Sequence, residues 1–153
     1  MNGLVALDAR SAQRLADLHA TAFDQPWSVG DFTDLVGLPG VATLAVEAEE
    51  SLVGLVLART AAGEAEILTL AVAPSARRGG IGLALTEAAC GACAAAGAQA
   101  LWLEVAVDNA AALALYGRAG FQVSGRRPGY YARKPGPPVD AVVMRRVLNT
   151  ATG

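Results

Sequence analysis

The stretch AEILTLAVAPSARRGGIG, residues 65–82, decides the fold of this chain. Its first part, Ala65–Val72, is a mostly apolar run that stops before Pro74, which predicts a β-strand. Its second part, the basic and glycine-rich turn 77–82, leads into a segment with one apolar face, which predicts a helix as far as Ala96. A glycine-rich turn at the start of a helix presents backbone N–H groups and the positive end of the helix dipole to an anion. The stretch therefore predicts a strand, a phosphate-binding turn and a helix in succession.

Three kinds of phosphate-binding turn use such glycines. A P-loop needs Lys-Ser or Lys-Thr after its last glycine, and neither follows Gly82. A Rossmann fingerprint would have Leu85 in place of its third glycine, and the five residues Ser75–Gly79 are too many for its tight turn, although Glu104 lies about where its ribose-binding acid should. The acetyltransferase pattern R-x-x-G-x-G is complete in the turn 77–82. Taken alone, this short pattern also fits an ordinary glycine-rich turn.

The rest of the chain divides into further helices and strands. Helices are predicted over Ala9–Phe23 with Asp8 as the cap, from the capping-box-like Ser28 and Asp31 to Gly37, and from Asn109 to the residue before Gly120. Strands are predicted over Val41–Glu47 and Leu52–Ala58, which form a hairpin, and over Leu101–Val105, Phe121–Gly125 and Ala141–Val147, with a loop over Arg126–Asp140 between the last two.

The order of these elements predicts the fold class and the domain organisation. Strand, helix, strand, helix and strand follow one another across residues 65–125, after the hairpin, which is typical of an α/β fold. We therefore expect one mixed sheet with helices on both of its faces. A single domain is expected over residues 1–147, followed by a short C-terminal tail over 148–153.

The composition excludes several classes of protein. With 54% hydrophobic and 17% charged residues in 153, the chain is not disordered. Its net charge of −2 leaves no basic excess to neutralise phosphates, so we expect no direct nucleic-acid partner. Neither a signal peptide nor a membrane-spanning run is visible, so we expect no membrane partner and a cytoplasmic location. We expect a monomer or a weak dimer.

The two cysteines, Cys90 and Cys93, form a C-x-x-C inside an alanine-rich helical segment. A metal or redox site would need a second pair of ligands or a preceding strand and turn, and the only histidine, His19, is far away in the sequence. We therefore predict that both cysteines are packing residues, and we predict no metal site.

Two other residues are candidates for proton transfer. Glu104 follows the apolar residues Leu101–Leu103 at the end of a strand, where a half-buried carboxylate suits a general base; a solvated acid is the alternative. Tyr116 lies seven residues, or two helical turns, after Asn109, so that these two side chains and the small Ala112 share one helix face. That face leaves room for a thin ligand, and a core aromatic residue is the alternative for Tyr116.

Together these features resemble the GNAT superfamily of N-acetyltransferases, whose cofactor-binding half matches Ala65–Phe121. The chain resembles the bacterial ribosomal-protein alanine N-acetyltransferase (RimI) family more closely still. The matching segments keep their order along the chain and are Pro26-Trp27-Ser28, Glu66-Ile67-Leu68-Thr69, Leu101-Trp102-Leu103-Glu104-Val105, Asn109-Ala110-Ala111-Ala112, Leu115-Tyr116, Gly120-Phe121, Tyr130-Tyr131 and Asp140-Ala141. The resemblance implies a single mixed, mostly antiparallel central sheet, and acetyl transfer from acetyl-coenzyme A to the N-terminal α-amine of a ribosomal protein, with alanine as the acceptor residue.

The resemblance also implies a role for each matching position. The backbone of Leu70, Ala71 and Val72 would pair with the pantetheine arm, the turn Arg77, Arg78, Gly79, Gly80, Ile81, Gly82 and Leu83 would hold the pyrophosphate, and Asn109 would contact the cofactor. Glu104 would be the general base and Tyr116 would protonate the departing thiolate. Trp27, Tyr130 and Tyr131 would form walls around the acceptor peptide, although core packing explains Trp27 equally well. The chain departs from the family pattern at Ala106, where many relatives have arginine, and in the loop Arg133–Pro138, and both changes leave the peptide preference open.

The chemistry favours an α-amine as the acceptor. With a pKa of about 7.7–8.0, roughly one α-amine in ten is neutral at pH 7, against a few per ten thousand for a lysine side chain near 10.4. Three alternatives stay open from the sequence: a GNAT enzyme acting on lysine or on a small-molecule amine, a binding module that only senses acetyl-coenzyme A, and a Rossmann-type nucleotide binder.

Overall fold

The computed structural model describes residues 2–148. The strands are β1 Asn2–Ala6, β2 Val41–Ala48, β3 Ser51–Ala61, β4 Glu64–Val72, β5 Ala100–Ala106, β6 Gln122–Arg133 and β7 Gly136–Val147. The α-helices are α1 Ala12–Ala22, α2 Val29–Val36, α3 Ile81–Ala95 and α4 Ala110–Arg118, with short 3-10 helices over Ala9–Ser11 and Pro74–Ala76.

The strands form one seven-stranded sheet in the order β1-β2-β3-β4-β5-β7-β6. All neighbouring strands are antiparallel except β4 and β5, which pair in parallel. The sheet is therefore mixed and mostly antiparallel, as predicted, which excludes the parallel sheet of a Rossmann domain.

Helices cover both faces of the sheet, as predicted, and each face has its own apolar core. Along β3, Val56 belongs to the core under α3 and α4, whereas Leu55 and Leu57 belong to the core under α1 and α2. This alternation follows from the period of two along a strand, and it occurs because both faces of the strand are covered. Cys90 and Cys93 are free and buried in the first core, which confirms their predicted packing role, and burial raises the pKa of the Cys90 thiol to about 11.

The predicted helix starts are confirmed in one case and changed in another. Ser28 and Asp31 form a complete capping box at the start of α2, with N···O distances of 2.9 and 3.0 Å, and the helix ends before Gly37. Asp8 does act as a cap, since its carboxylate accepts a hydrogen bond from the N–H of Arg10 at 2.9 Å, but it caps a 3-10 turn. The α-helix predicted from residue 9 therefore begins only at Ala12.

The loop predicted over Arg126–Asp140 is wrong, because β6 and β7 run through it as a long hairpin with its tip at 134–135. Arginine, proline and glycine resemble a loop in sequence, yet the edge strand β6 tolerates Pro128 because one of its sides has no partner strand among the described residues. The other edge strand, β1, was not predicted.

Leu148, predicted as the first residue of the tail, is buried and donates its N–H to the carbonyl of Gln99 at 2.9 Å. The rest of the predicted tail, residues 149–153, lies outside the described part of the chain. Between residues 2 and 148, no helix has both the length and the apolar character needed to cross a membrane.

The fold predicts a steric requirement for glycine where α3 packs on β3. A Cβ atom added to Gly54 would lie 2.8 Å from side-chain carbons of both Ile81 and Leu85. We expect Gly54→Val to lower the free energy of unfolding by about 1–3 kcal/mol, because overpacking displaces the start of α3. Urea denaturation followed by circular dichroism measures the change.

The matched control is Gly91→Ala, inside α3, where an added Cβ meets no atom within 4 Å. This control should raise stability by about 0.5–1 kcal/mol through helix propensity. Equal stability of the Gly54 variant and the native protein would contradict the packing account.

Candidate active site

The turn predicted to bind phosphate forms the start of α3. Gly80 is the N-cap residue and has a left-handed backbone with φ of +82°, and Arg78 also has a positive φ of +70°. The first hydrogen bond within the helix runs from the N–H of Ala84 to the carbonyl of Gly80 at 3.0 Å. The N–H groups of residues 81–83 therefore lie before the first hydrogen bond of the helix and are available to an anion. The first turn of the helix contains no acidic residue that would repel an anion.

Two glycines of the turn are required for different reasons. A Cβ atom at Gly80 would meet no atom within 4 Å, so the positive φ rather than crowding favours glycine there. A Cβ atom at Gly82 would lie 3.1 Å from the side chain of Leu115 on α4. Gly82 therefore lets α3 and α4 approach each other, a reason that the motif itself did not indicate.

The two arginines of the turn are not engaged with acids. Arg77 donates a hydrogen bond from Nε to the carbonyl of Val72 at 3.2 Å, which ties its side chain to the end of β4. Within residues 2–148, neither Arg77 nor Arg78 forms an ion pair. Two positive charges thus lie beside the free N–H groups of the helix start.

Strands β4 and β5 separate next to this turn. Their parallel pairing covers only Glu64–Glu66 with Ala100–Trp102, although both strands continue beyond it. In the same region the register of β4 with β3 shifts, which leaves Leu68 as the extra residue of a bulge. The rest of β4, residues 67–72, is paired with β3 on one side and has no ladder partner on β5 within the described chain. This segment contains the predicted pantetheine residues Leu70, Ala71 and Val72, whose free edge can accept an extended ligand.

Tyr116 and Asn109 lie on or at the start of α4, as predicted. Tyr116 is only 7% exposed, and burial, with a smaller contribution from the nearby Tyr131, raises the pKa of its hydroxyl to about 12. Its proton is therefore retained throughout the physiological pH range. Asn109 caps α4 by accepting a hydrogen bond from the N–H of Ala112 at 3.1 Å, which leaves its amide nitrogen free to donate to a cofactor.

A groove of about 650 Å³ brings together the predicted base and the predicted acceptor residues. It lies between the α1–α2 connection, β5 and the β6–β7 hairpin, and its lining includes Trp27, Glu104, Tyr130 and Tyr131 together with Glu66, Leu68, Trp102 and Arg127. Tyr116 and the phosphate-type turn do not line this groove. Trp27 also packs against the second core, so both of its predicted roles are compatible with its place.

The carboxylate of Glu104 is half-buried, as predicted, with 26% of its side chain exposed, and it lies inside β5 rather than at its end. Its Oε1 forms an ion pair with Nε of Arg127 at 3.2 Å. Its Oε2 is buried and has no hydrogen-bond partner among the described residues. A buried carboxylate oxygen without a donor is costly, and such atoms are typical of positions where a water molecule or a substrate proton belongs.

Glu104 and Tyr116 lie on opposite faces of the sheet. The neighbours of Glu104 on β5, Leu103 and Val105, belong to the same core as Tyr116, and Glu104 itself faces the groove on the other side. The separation of β4 and β5 opens the sheet next to both residues. The structure thus places the two proton-transfer candidates on either side of one gap.

Arg127 lines the groove but was not predicted as a site residue, because its segment was predicted as a loop. Three residues of β6, 128–130, lie opposite the single residue Asp140 of β7, so β6 has a bulge with two extra residues there. Asp140 holds the bulge by accepting hydrogen bonds from the N–H of Gly129 at 2.9 Å and from Nε of Arg126 at 2.7 Å. One sequence signal could have indicated this bulge. It is the run Arg126-Arg127-Pro128-Gly129-Tyr130-Tyr131, which is followed by Asp140, an acid with no basic residue close to it in the sequence on its N-terminal side.

Comparison with known proteins shows the family to which the chain belongs. The sequence profile of the acetyltransferase (GNAT) family matches residues 12–121. The chain is 37% identical over 147 residues to the N-alpha-acetyltransferase RimI of Mycobacterium tuberculosis, covering 92% of this chain and 89% of that protein. It is 30% identical over 144 residues to the [ribosomal protein bS18]-alanine N-acetyltransferase of Salmonella typhimurium, covering 94% of this chain and 96% of that protein.

The fold also matches a solved structure of the same kind. The crystal structure of the ribosomal-protein-S18-alanine N-acetyltransferase from Escherichia coli superimposes with a TM-score of 0.91 at 28% identity, covering 99% of this chain and 97% of that one. The residues that match the family profile, 12–121, include the turn 77–82, strands β4 and β5, Glu104 and Tyr116. The chain therefore belongs to the GNAT family of acetyltransferases, as an N-acetyltransferase similar to the RimI proteins.

Proposed function

We propose that the protein transfers the acetyl group of acetyl-coenzyme A to the N-terminal α-amine of a protein, with alanine as the acceptor residue and a ribosomal protein as the acceptor. The names of the Salmonella and Escherichia relatives specify this substrate. The observation that carries the proposal is the buried Oε2 of Glu104, which has no hydrogen-bond partner within residues 2–148 and lies beside a groove large enough for a peptide terminus.

The cofactor side of the site depends mainly on the backbone. The N–H groups at the start of α3, with Arg77 and Arg78, would bind the pyrophosphate as an anion at a helix N-terminus. The free edge of β4 at Leu70–Val72 would bind the pantetheine arm in the manner of an added strand. Acetyl-coenzyme A supplies a thioester, and the N–H groups of β4 are suitably placed to polarise its carbonyl.

On the acceptor side, the substrate amine must lose protons as it attacks. Glu104 would take up this proton at Oε2, directly or through one water molecule, because Oε1 is already paired with Arg127. Trp27, Tyr130 and Tyr131 would bind the peptide backbone on either side. An α-ammonium loses its proton about 2.5 pH units more readily than a lysine side chain, a difference of about 3 kcal/mol that favours the α-amine.

Tyr116 would donate its hydroxyl proton toward the departing sulfur. With its pKa near 12, net transfer to a thiolate of ordinary pKa 8.5 costs about 5 kcal/mol, more than an exposed tyrosine would need. The same burial would destabilise a charged thiolate next to it, which raises the pKa of the thiol and narrows this difference. We therefore propose that Tyr116 forms a hydrogen bond to the sulfur first and transfers its proton as negative charge develops there.

The phosphate assignment predicts a loss of cofactor affinity in Arg77→Ala. Removing a charge-assisted hydrogen bond should weaken acetyl-coenzyme A binding by about 1–3 kcal/mol, measured by isothermal titration calorimetry. Arg10→Ala is the matched control, since it removes the same charge from a side chain that is 92% exposed on the α1 side. Equal affinities for the folded Arg77 variant and this control would exclude Arg77 from the site.

The proton-transfer assignment predicts slow turnover in Glu104→Gln and Tyr116→Phe. Both changes keep the shape of the side chain; the first removes the basic carboxylate and the second removes the acidic hydroxyl, so each should lower kcat by roughly 10²–10⁴-fold. Calorimetry should find cofactor affinity nearly unchanged. Turnover within a few-fold of the native enzyme would show that the assigned residue does not transfer a proton.

The acceptor assignment predicts a preference for an N-terminal amine. We expect kcat/KM to be higher for a peptide that begins with alanine than for the same peptide with a blocked N-terminus and an internal lysine, because the α-amine is more often neutral. Mass spectrometry of the products identifies the acetylated nitrogen. Comparable or faster acetylation of the blocked peptide would favour a lysine acetyltransferase, and failure of both peptides would favour a small-molecule amine.

A further inference from the structure

The only histidine of the chain lies directly behind the groove wall. His19 is on α1, is 2% exposed, and its ring contacts the rings of Phe23, Trp27 and Phe32 with centroid distances of 4.2, 5.2 and 5.4 Å. Neither the cofactor side nor the acceptor side of the proposed reaction uses this residue directly. A buried polar ring in an apolar core therefore needs its own explanation.

Both ring nitrogens of His19 are hydrogen-bonded, and this fixes the tautomer. The backbone N–H of Trp27 lies 3.1 Å from Nδ1 and can only donate, so Nδ1 is the acceptor and carries no proton. The ring proton is then on Nε2, which donates to Oγ1 of Thr69 at 2.9 Å. Burial lowers the pKa of His19 to about 4, so the ring is neutral and keeps this arrangement at physiological pH.

The two partners of the ring belong to the two sides of the proposed site. Trp27 lines the acceptor groove. Thr69 is on β4, between the bulge residue Leu68 and the predicted pantetheine residue Leu70, where the strand has already separated from β5. Because the imidazole ring is rigid, it fixes the spacing between the groove wall and this free part of β4.

We propose that His19 is a positioning residue that holds Trp27 through Nδ1 and the free part of β4 through Nε2, so that each hydrogen bond serves a different substrate. This inference rests on the function proposed above. The Nδ1 bond sets the place of the acceptor wall, and the Nε2 bond sets the course of β4 at the pantetheine segment.

Two substitutions of the same residue separate the two bonds. In His19→Asn the amide oxygen takes the place of Nδ1, which keeps the bond to Trp27 and loses the bond to Thr69. In His19→Gln the amide nitrogen takes the place of Nε2, which keeps the bond to Thr69 and loses the bond to Trp27. Thr69→Val removes the β4 bond from the other side. The matched control is Thr33→Val on α2, which removes a hydroxyl bonded only to the carbonyl of Val29.

We expect opposite effects on the two substrates. His19→Asn and Thr69→Val should raise KM for acetyl-coenzyme A by roughly three- to tenfold and leave KM for an alanine-starting peptide within twofold, as the loss of one hydrogen bond implies. His19→Gln should raise KM for the peptide by a similar factor and leave KM for acetyl-coenzyme A within twofold. The Thr33 control should change neither constant.

A merely structural role for His19 gives a different pattern. If all three variants lower the melting temperature but change both KM values equally, or change neither, the proposal is wrong. Calorimetry of acetyl-coenzyme A binding to the Thr69→Val variant needs no acceptor, so it tests the bond to β4 by itself. An unchanged affinity for acetyl-coenzyme A overturns the part of the proposal that concerns β4. If the native enzyme fails to acetylate the peptide, the proposed function is contradicted, whereas weaker cofactor binding by Thr69→Val still supports the β4 bond.

Discussion

Beyond Glu66, strand β4 is hydrogen-bonded to β3 on one side and leaves its other side open in the middle of the sheet. Interior strands normally satisfy both rows of backbone groups, because an unpaired buried N–H or carbonyl is costly. Here the parallel pairing with β5 stops after three residue pairs, and the bulge at Leu68 turns β4 away. The open edge gives an extended ligand the hydrogen bonds that a neighbouring strand would otherwise take, and the functional residues are arranged around it.

The pleat of β5 explains how one gap serves two substrates. Successive side chains of a strand point to opposite faces, so Leu103 and Val105 pack in the core under α3 and α4 while Glu104 lines the groove on the other face. Tyr116, on α4, approaches the gap from the first face. In the proposed reaction, the amine and the thioester would therefore meet from opposite sides of the sheet, with Glu104 and Tyr116 as their respective proton-transfer groups.

Around the candidate site, the local structures that short sequence signals encode were predicted correctly, and the structures that depend on distant contacts were not. A basic turn with glycine at a positive φ, a capping box at Ser28 and an N-cap at Asn109 are local signals, and each is where the sequence predicted it. The β6–β7 hairpin was predicted as a loop because its bulge is held by Asp140, up to 14 residues away from its hydrogen-bond partners. The raised pKa of Tyr116 and the packing of Gly82 on Leu115 also depend on tertiary neighbours that no spacing rule contains.

The cofactor side and the acceptor side of the proposed site should therefore respond differently to amino-acid substitutions. The cofactor side consists largely of backbone groups, namely the start of α3 and the edge of β4, and many side-chain substitutions leave such groups in place. The proposed acceptor side consists of side chains from several elements, with the backbone of Trp27 bonded to His19 and Tyr130 carried on the bulge that Asp140 holds. A substitution of Tyr130 changes the groove wall and leaves the backbone edge of β4 in place, whereas a substitution of His19 acts on both, because its ring is bonded to Trp27 and to Thr69. If the proposed assignments hold, we expect substitutions such as those at Tyr130 to alter acceptor choice while acetyl-coenzyme A binding is retained, because the two sides depend on different kinds of atoms.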